Sequence, residues 1–388
     1  MTTTTIPSLA ADRETNPLKG LLAYGQSPWM DYVRRDLLTS GQLKKYIDDD
    51  GLRGMTSNPS IFEKAITGSN LYNDILNSPD AKKLDANGVF EKIAFRDIQD
   101  ACDIFKPVYA ASKRRDGYVS LEVSPFLGFD TKASLAEARR LWKAVDRPNV
   151  MIKIPGTPEG LPAIRQALEE GININITLLF AQSAYEKVAE AFLSALEARA
   201  AKGLDISHIA SVASFFVSRI DTLVDSQIDE KLKTTTDAGR KALLESIRGK
   251  VAIANARLTY KKYQELFGGS RWKALASKGA QTQRLLWAST STKNPKYRDV
   301  LYVEELIGAD TVDTIPPATF DAFRDHGKLR PSLTENVKGA AKTMADLAKA
   351  GISMKDVTDK LLADGVKLFS DAFKTLLDAV GKTAGTRV

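Results

Sequence analysis

The sequence predicts an α/β fold, a single (β/α)8 TIM barrel with helical insertions and C-terminal helices, and three observations carry that prediction. Short β-type runs recur along the whole chain and alternate with amphipathic helical stretches, the rhythm of βαβ units that build a parallel sheet. Eight such runs occur, at 24–31, 52–58, 118–124, 149–155, 172–178, 208–214, 283–289 and 311–316, and the 388-residue length suits one barrel carrying insertions. Polar side chains interrupt these otherwise apolar runs near their C-terminal ends, the end on which barrel enzymes assemble their sites.

The runs justify themselves in order. The first ends at Asp31 and the second at Asn58. The third alternates as Val119-Ser120-Leu121-Glu122-Val123, and the fourth, Asn149 to Pro155, holds one charge, Lys153. In the fifth, Ile172-Asn173-Ile174-Asn175-Ile176-Thr177 turns isoleucines to one face and polar groups to the other. The sixth ends with Ser214. Helical patterns fill the gaps at 134–145, 161–170, 182–202 and 237–266. Two connections, 59–117 and 215–282, are long and helix-rich, so they read as insertions and not as linkers. Two helical segments follow the last strand, 333–349 and 354–380, broken at Gly351; the second carries a core-facing stripe of Val357, Leu361, Leu362, Val366, Leu368, Phe369 and Phe373. Residues 1–388 are therefore expected to form one domain, with a flexible segment at 1–20 and 333–388 packed on the barrel.

Composition narrows the function classes. With 43% hydrophobic and 27% charged residues the chain is expected to be an ordinary globular protein. Its threonine run at 2–5 lacks the basic and apolar regions of a secretory signal, and no apolar stretch approaches a membrane span, so a cytoplasmic location is expected. The single cysteine, Cys102, excludes an internal disulfide framework and reads as a small core residue in the helical stretch 95–109. Net charge is +7, but the basic residues are dispersed and no aromatic residues interleave with them, which argues against nucleic acid. Most of these charges are read as a solvated surface, and a few as available to phosphate. Neither histidine, His208 at the start of the sixth strand or His326 in the loop after the eighth, has partners at metal-ligand spacing. No P-loop or GxGxxG follows a strand. No metal is expected.

Lys153 is the most telling of the interrupting residues. Large aliphatic neighbours disfavour an ammonium and bring the neutral, nucleophilic amine within reach, the form that attacks a sugar ketone as a Schiff-base lysine. Alone, such a lysine more often snorkels its ammonium to the strand end. Asp31 alone could cap the next helix, Asn58 could form a turn before Pro59, and Thr177 and Ser214 could cap or pack. Glu122 in a buried strand requires a partner, and Lys153 one strand along supplies it. The ordinary explanations must all hold together to account for the set, and that conjunction fails.

These residues resemble those of the transaldolases. Gly54-Met55-Thr56-Ser57-Asn58-Pro59-Ser60-Ile61-Phe62 is similar to one family signature, and Val150-Met151-Ile152-Lys153-Ile154-Pro155-Gly156-Thr157-Pro158-Glu159-Gly160 to the one around the Schiff-base lysine. Asn175-Ile176-Thr177-Leu178-Leu179-Phe180 and Ser214-Phe215-Phe216-Val217-Ser218-Arg219-Ile220-Asp221 add to the likeness, which spans about 28–327 and is nearest the longer bacterial subgroup. The resemblance implies transfer of a dihydroxyacetone unit from sedoheptulose 7-phosphate to glyceraldehyde 3-phosphate, giving erythrose 4-phosphate and fructose 6-phosphate in the non-oxidative pentose phosphate pathway, without a cofactor. It implies Lys153 as nucleophile, Asp31 as the carboxylate that takes the C4 hydroxyl proton, and Glu122 with Thr177 as the pair that positions water. Asn58, Asn175 and Ser214 would contact substrate, Phe216 would line the pocket, and Arg219 would hold phosphate. After the seventh strand the chain departs from shorter members: Ala288-Ser289-Thr290-Ser291-Thr292-Lys293-Asn294 is longer and offers lysine where they have arginine. Ser289, Ser291 and Lys293 all stand as phosphate candidates.

Two rival readings remain at this level. A fructose 6-phosphate aldolase shares fold and lysine but tends to carry glutamine and tyrosine where this chain has Glu122 and Phe216. A noncatalytic sugar-phosphate binder has no need of a buried nucleophile. Too little chain follows the eighth strand for a fused isomerase. Phosphorylated sugars are the expected partners, with no membrane, and the chain would act as monomer or homodimer.

Overall fold

A computed structural model describes residues 16–385 and closes eight parallel strands into a barrel in chain order. They are β1 (Gln26–Asp31), β2 (Gly54–Thr56), β3 (Tyr118–Glu122), β4 (Val150–Pro155), β5 (Ile174–Leu179), β6 (Ser211–Phe216), β7 (Arg284–Ala288) and β8 (Thr311–Ile315). Every expected strand is present. The closing seam pairs Gln26 with Thr311, and the Gln26 amide donates to Leu306 O at 2.6 Å and Thr311 Oγ1 at 2.9 Å.

Alternation along the strands sets the inner face in layers. At the N-terminal end Arg284 donates to Asp116 (2.8 Å) and to Ser27 (2.8 Å), a buried ion pair that plugs the barrel floor. Above it Trp29 fills the axis opposite Gly54, where a Cβ would come within 2.5 Å of the indole. The polar upper layer begins with Glu122, Lys153 and Asn175, which are register neighbours on β3, β4 and β5. On β5 the register shifts between Ile176 and Leu179, and Leu178 takes φ +60°, a left-handed conformation unusual for a bulky residue.

Helices cover the outside, several started by the residue types that satisfy free N–H groups: Asp85 accepts from Gly88 N and Asp130 from Ala133 N. The helix Val337–Lys349 packs on Val251–Gly268, and the long helix Met354–Ala384 runs across Pro59–Thr67 and Ala86–Ala111. Cys102 is buried in the latter.

Several expectations are corrected. The sixth strand starts at Ser211 and not 208, because Asp205 gathers Ser207 N and the His208 ring into a turn, while Phe215 and Phe216 prolong the pairing with β7. The helix expected at 237–266 is two, Ala238–Ile247 and Val251–Gly268, because Gly249 has φ +65° and its N–H goes to Asp225. His326 ends the helix Pro317–His326 instead of lying in a loop, its ring nitrogens 3.0 Å from Asp299 and Asp325. Leu368 is 48% exposed and breaks the expected core stripe. Of the expected flexible segment, 1–15 lie outside the described residues; Pro17–Gly20 is a helical turn capped by Asn16, with Leu18 buried. Among the described residues no helix is long and apolar enough to cross a membrane.

Candidate active site

A cavity of about 500 Å³ opens at the C-terminal end of the strands, and most of the residues singled out above line it: Asp31, Asn58, Lys153, Thr177, Ser214, Phe216, Arg219, Ser289, Ser291 and Lys293. Glu122 and Asn175 do not. Glu122 faces Lys153 from beside the cavity and Asn175 lies beneath it, its amide committed to Ser120 Oγ at 3.0 Å and its oxygen accepting from Ser214 Oγ at 2.6 Å.

Lys153 projects inward from β4, its side chain 6% exposed. Its Nζ lies 3.4 Å from Glu122 Oε2, donates to Ser57 O at 3.2 Å and stands 5.7 Å from the centre of the Phe369 ring. The Glu122 partner expected for this lysine is thus joined by the Ser57 carbonyl and the Phe369 ring, so three groups face the cation where aliphatic neighbours were also expected. Glu122 needs it in turn: neither of its buried oxygens accepts a hydrogen bond among the described residues, and burial pushes its carboxyl above the usual range while the Lys153 ammonium pulls it back. Thr177 Oγ1 is also buried without a hydrogen-bond partner among the described residues. Unpartnered buried polar groups are uncommon in folded chains, and each calls for an explanation.

Asp31 does not cap the helix that follows β1. Its Oδ1 accepts from Thr56 Oγ1 at 2.7 Å, and Thr56 also meets Thr314 Oγ1 at 2.7 Å, tying β1, β2 and β8 together. Burial raises the Asp31 pKa, while Lys153, the Thr56 hydroxyl and Lys293 oppose the rise. A carboxylic acid held between two cations at the cavity wall can take and return a proton. Asn58 does act as a cap, its Oδ1 accepting from Ile61 N at 3.1 Å, and so keeps its amide end at the cavity wall.

Cations gather at the far side. Arg219, at the start of the helix Ser218–Thr234, lies 5.6 Å over the Phe216 ring, and burial lowers its pKa. It has no ion-pair partner among the described residues. Lys293 donates to Ser291 Oγ at 2.7 Å; desolvation, then Arg219 and Lys64, depress its pKa. Ser289 takes φ +58° and shares a 2.9 Å contact between its Oγ and that of Ser218, which brings the segment after β7 against the start of that helix. Unneutralised cations around hydroxyls in a cavity suit a phosphate group.

Among the lining residues that sequence reasoning did not single out for the site are Arg34, Lys64, Leu368 and Phe369. Lys64 follows Asn58 and Ile61 at helical spacing, a signal that could have placed it on the same face. Arg34 is ion-paired with Asp36. Phe369 was readable only as core. Among the described residues no group of three or more His, Cys, Asp or Glu could hold a metal ion.

Comparison with known proteins gives a concordant result. The family described as transaldolase/fructose-6-phosphate aldolase matches residues 28–380. A protein named Transaldolase from Trichodesmium erythraeum is 49% identical over 368 residues, covering 94% of this chain and 97% of that protein. One of the same name from Parafrankia sp. is 46% identical over 96% of this chain and 99% of its own length, and one from Thiobacillus denitrificans 44% over 94% and 100%.

Proposed function

We propose, on the premise that the chain belongs to the transaldolase/fructose-6-phosphate aldolase family, that it is a transaldolase working through a Schiff base on Lys153. One observation carries the reading: a buried lysine faces a buried carboxylate that accepts no hydrogen bond among the described residues, and that lysine shares its cavity with an arginine that has no ion-pair partner among them.

Lys153 must lose a proton before it attacks, and Glu122 Oε2 at 3.4 Å is the group placed to receive it. The amine adds to the ketose carbonyl, water leaves, and a protonated imine remains. Glu122 and Thr177, both with unused hydrogen-bonding capacity, hold that water. Asp31 takes the C4 hydroxyl proton as the C3–C4 bond breaks, and the bonding electrons flow to the iminium nitrogen. An aldose phosphate departs, and the acceptor aldehyde enters to run the same steps backwards. Ser214 and the Asn58 amide contact the sugar hydroxyls, Phe216 walls the chain, and Asn175 holds Ser214 from below. Arg219, Ser289, Ser291 and Lys293 receive the phosphate. Sedoheptulose 7-phosphate and glyceraldehyde 3-phosphate are the proposed donor and acceptor. Cytoplasmic work in the pentose phosphate pathway, as monomer or homodimer, completes the reading, and the lone buried thiol of Cys102 fits a reducing compartment.

Borohydride added with fructose 6-phosphate, followed by peptide mass mapping, tests the reading. The expected adduct is on Lys153, and it persists in Asp31→Asn while transfer falls by about 10²–10⁴. An adduct elsewhere, or none, overturns it. An aldolase relative releases free dihydroxyacetone, and rapid release without an acceptor would favour that reading instead.

A further inference from the structure

We infer that Phe369, near the middle of the helix Met354–Ala384, covers the Schiff-base nitrogen and determines whether the three-carbon adduct waits for an acceptor or is lost to water. The inference rests on the transaldolase reading. After C–C cleavage the adduct is an enamine on Lys153. It has two fates. It can add an acceptor aldehyde, or its carbon can take a proton to give the iminium. Water then adds to the iminium carbon, and the C–N bond breaks with its electrons on nitrogen, leaving dihydroxyacetone and the Lys153 ammonium. A transferase must suppress the second fate.

The geometry supplies the means. The Phe369 ring is 6% exposed, lines the cavity and stands 5.7 Å from Lys153 Nζ, where its bulk takes the space water needs to approach the adduct. A benzene ring at that distance offers water no hydrogen-bond partner. Its neighbour Leu368, 48% exposed, lines the same cavity toward solvent. The helix is seated by Gly365, where a Cβ would come within 3.0 Å of Leu178, the residue of left-handed conformation that follows Thr177 on β5. The same contact therefore fixes both the ring over the nitrogen and the strand that carries the threonine.

The test compares dihydroxyacetone release without acceptor to transfer with acceptor. Phe369→Leu, a smaller side chain that leaves room for water beside the nitrogen, should raise that ratio by about tenfold. Leu376→Ala, a fully buried position of the same helix away from the cavity, should leave the ratio unchanged even where it lowers Tm. An unchanged ratio in a folded Phe369→Leu protein, or an equal rise in Leu376→Ala, overturns the inference. If Phe369→Leu does not fold, Phe369→Met carries the same expectation. Borohydride trapping on Lys153 is run alongside: its absence in the unaltered protein defeats the transaldolase reading, whereas trapping with an unaltered ratio defeats this inference alone.

Discussion

Asp313→Asn removes one buried proton whose effect on stability can be worked out from its surroundings. Asp313 lies on β8 between Trp287 and Pro28, wholly buried. Thr290 donates to its Oδ1 at 2.9 Å, and its Oδ2 has no hydrogen-bond partner among the described residues. Burial pushes its pKa from the ordinary 3.8 to about 8. Between these values the folded chain keeps a proton that the unfolded chain gives up. Raising the pH therefore favours unfolding across that window, and the effect stops near pH 8, where folded Asp313 ionises as well. One proton corresponds to about 1.4 kcal/mol per pH unit, so by pH 6 the carboxyl costs about 3 kcal/mol, with a ceiling of about 6 kcal/mol near pH 8. Asparagine cannot ionise. Its amide keeps an acceptor for Thr290 but leaves a buried NH2, a pH-independent loss of about 1–3 kcal/mol. Urea unfolding of both proteins at intervals from pH 5 to 8 separates the two effects. At pH 5, where the carboxyl already costs about 1.6 kcal/mol, the variant should start near parity and gain on the unaltered protein by about 1.4 kcal/mol per unit. Parallel pH profiles would refute the assignment of a proton to this site.

Two further substitutions probe the binding end and the barrel axis. Arg219→Ala should raise KM for fructose 6-phosphate by about 100-fold while leaving turnover of unphosphorylated fructose unchanged; an equal loss on both ketoses would show that the arginine does not read phosphate. Gly54→Ala should lower stability by about 1–3 kcal/mol in thermal melts, because its Cβ would meet the Trp29 ring at 2.5 Å. An unshifted Tm would mean that the indole moves aside freely.

What could be read from the sequence followed the strength of local constraint. The alternation from Ile172 to Thr177 is legible because a barrel strand has one greasy outer face and one inner face, and Asn175 and Thr177 could point only inward. Lys153 beside Glu122 is legible because buried charges need partners. The lysine's setting was misjudged, since Ser57 O and Phe369 reach it from segments distant in sequence. Phe369 itself repeats at core spacing, and periodicity says which helix face turns inward but not whether the neighbour there is protein or cavity. Leu178 carries no glycine-like signal for its positive φ; packing against Gly365 accompanies it. The break at Gly249 was hidden because a lone glycine within an amphipathic pattern often stays helical, and here the Asp225 carboxylate holds the turn instead.

The hydroxyl chain from Asp31 through Thr56 to Thr314 has a consequence for how activity is gained. It crosses the seam where the first strand meets the last, so the proton-handling carboxylate is fixed by contacts separated by 258 residues of chain. A barrel with seven strands in place would leave Thr56 without Thr314, and Asp31 on an open edge. Such long-range contacts form late, after most loop-closure entropy has been lost. In refolding, the return of catalysis is therefore a clock for ring closure, and it should lag the return of helix.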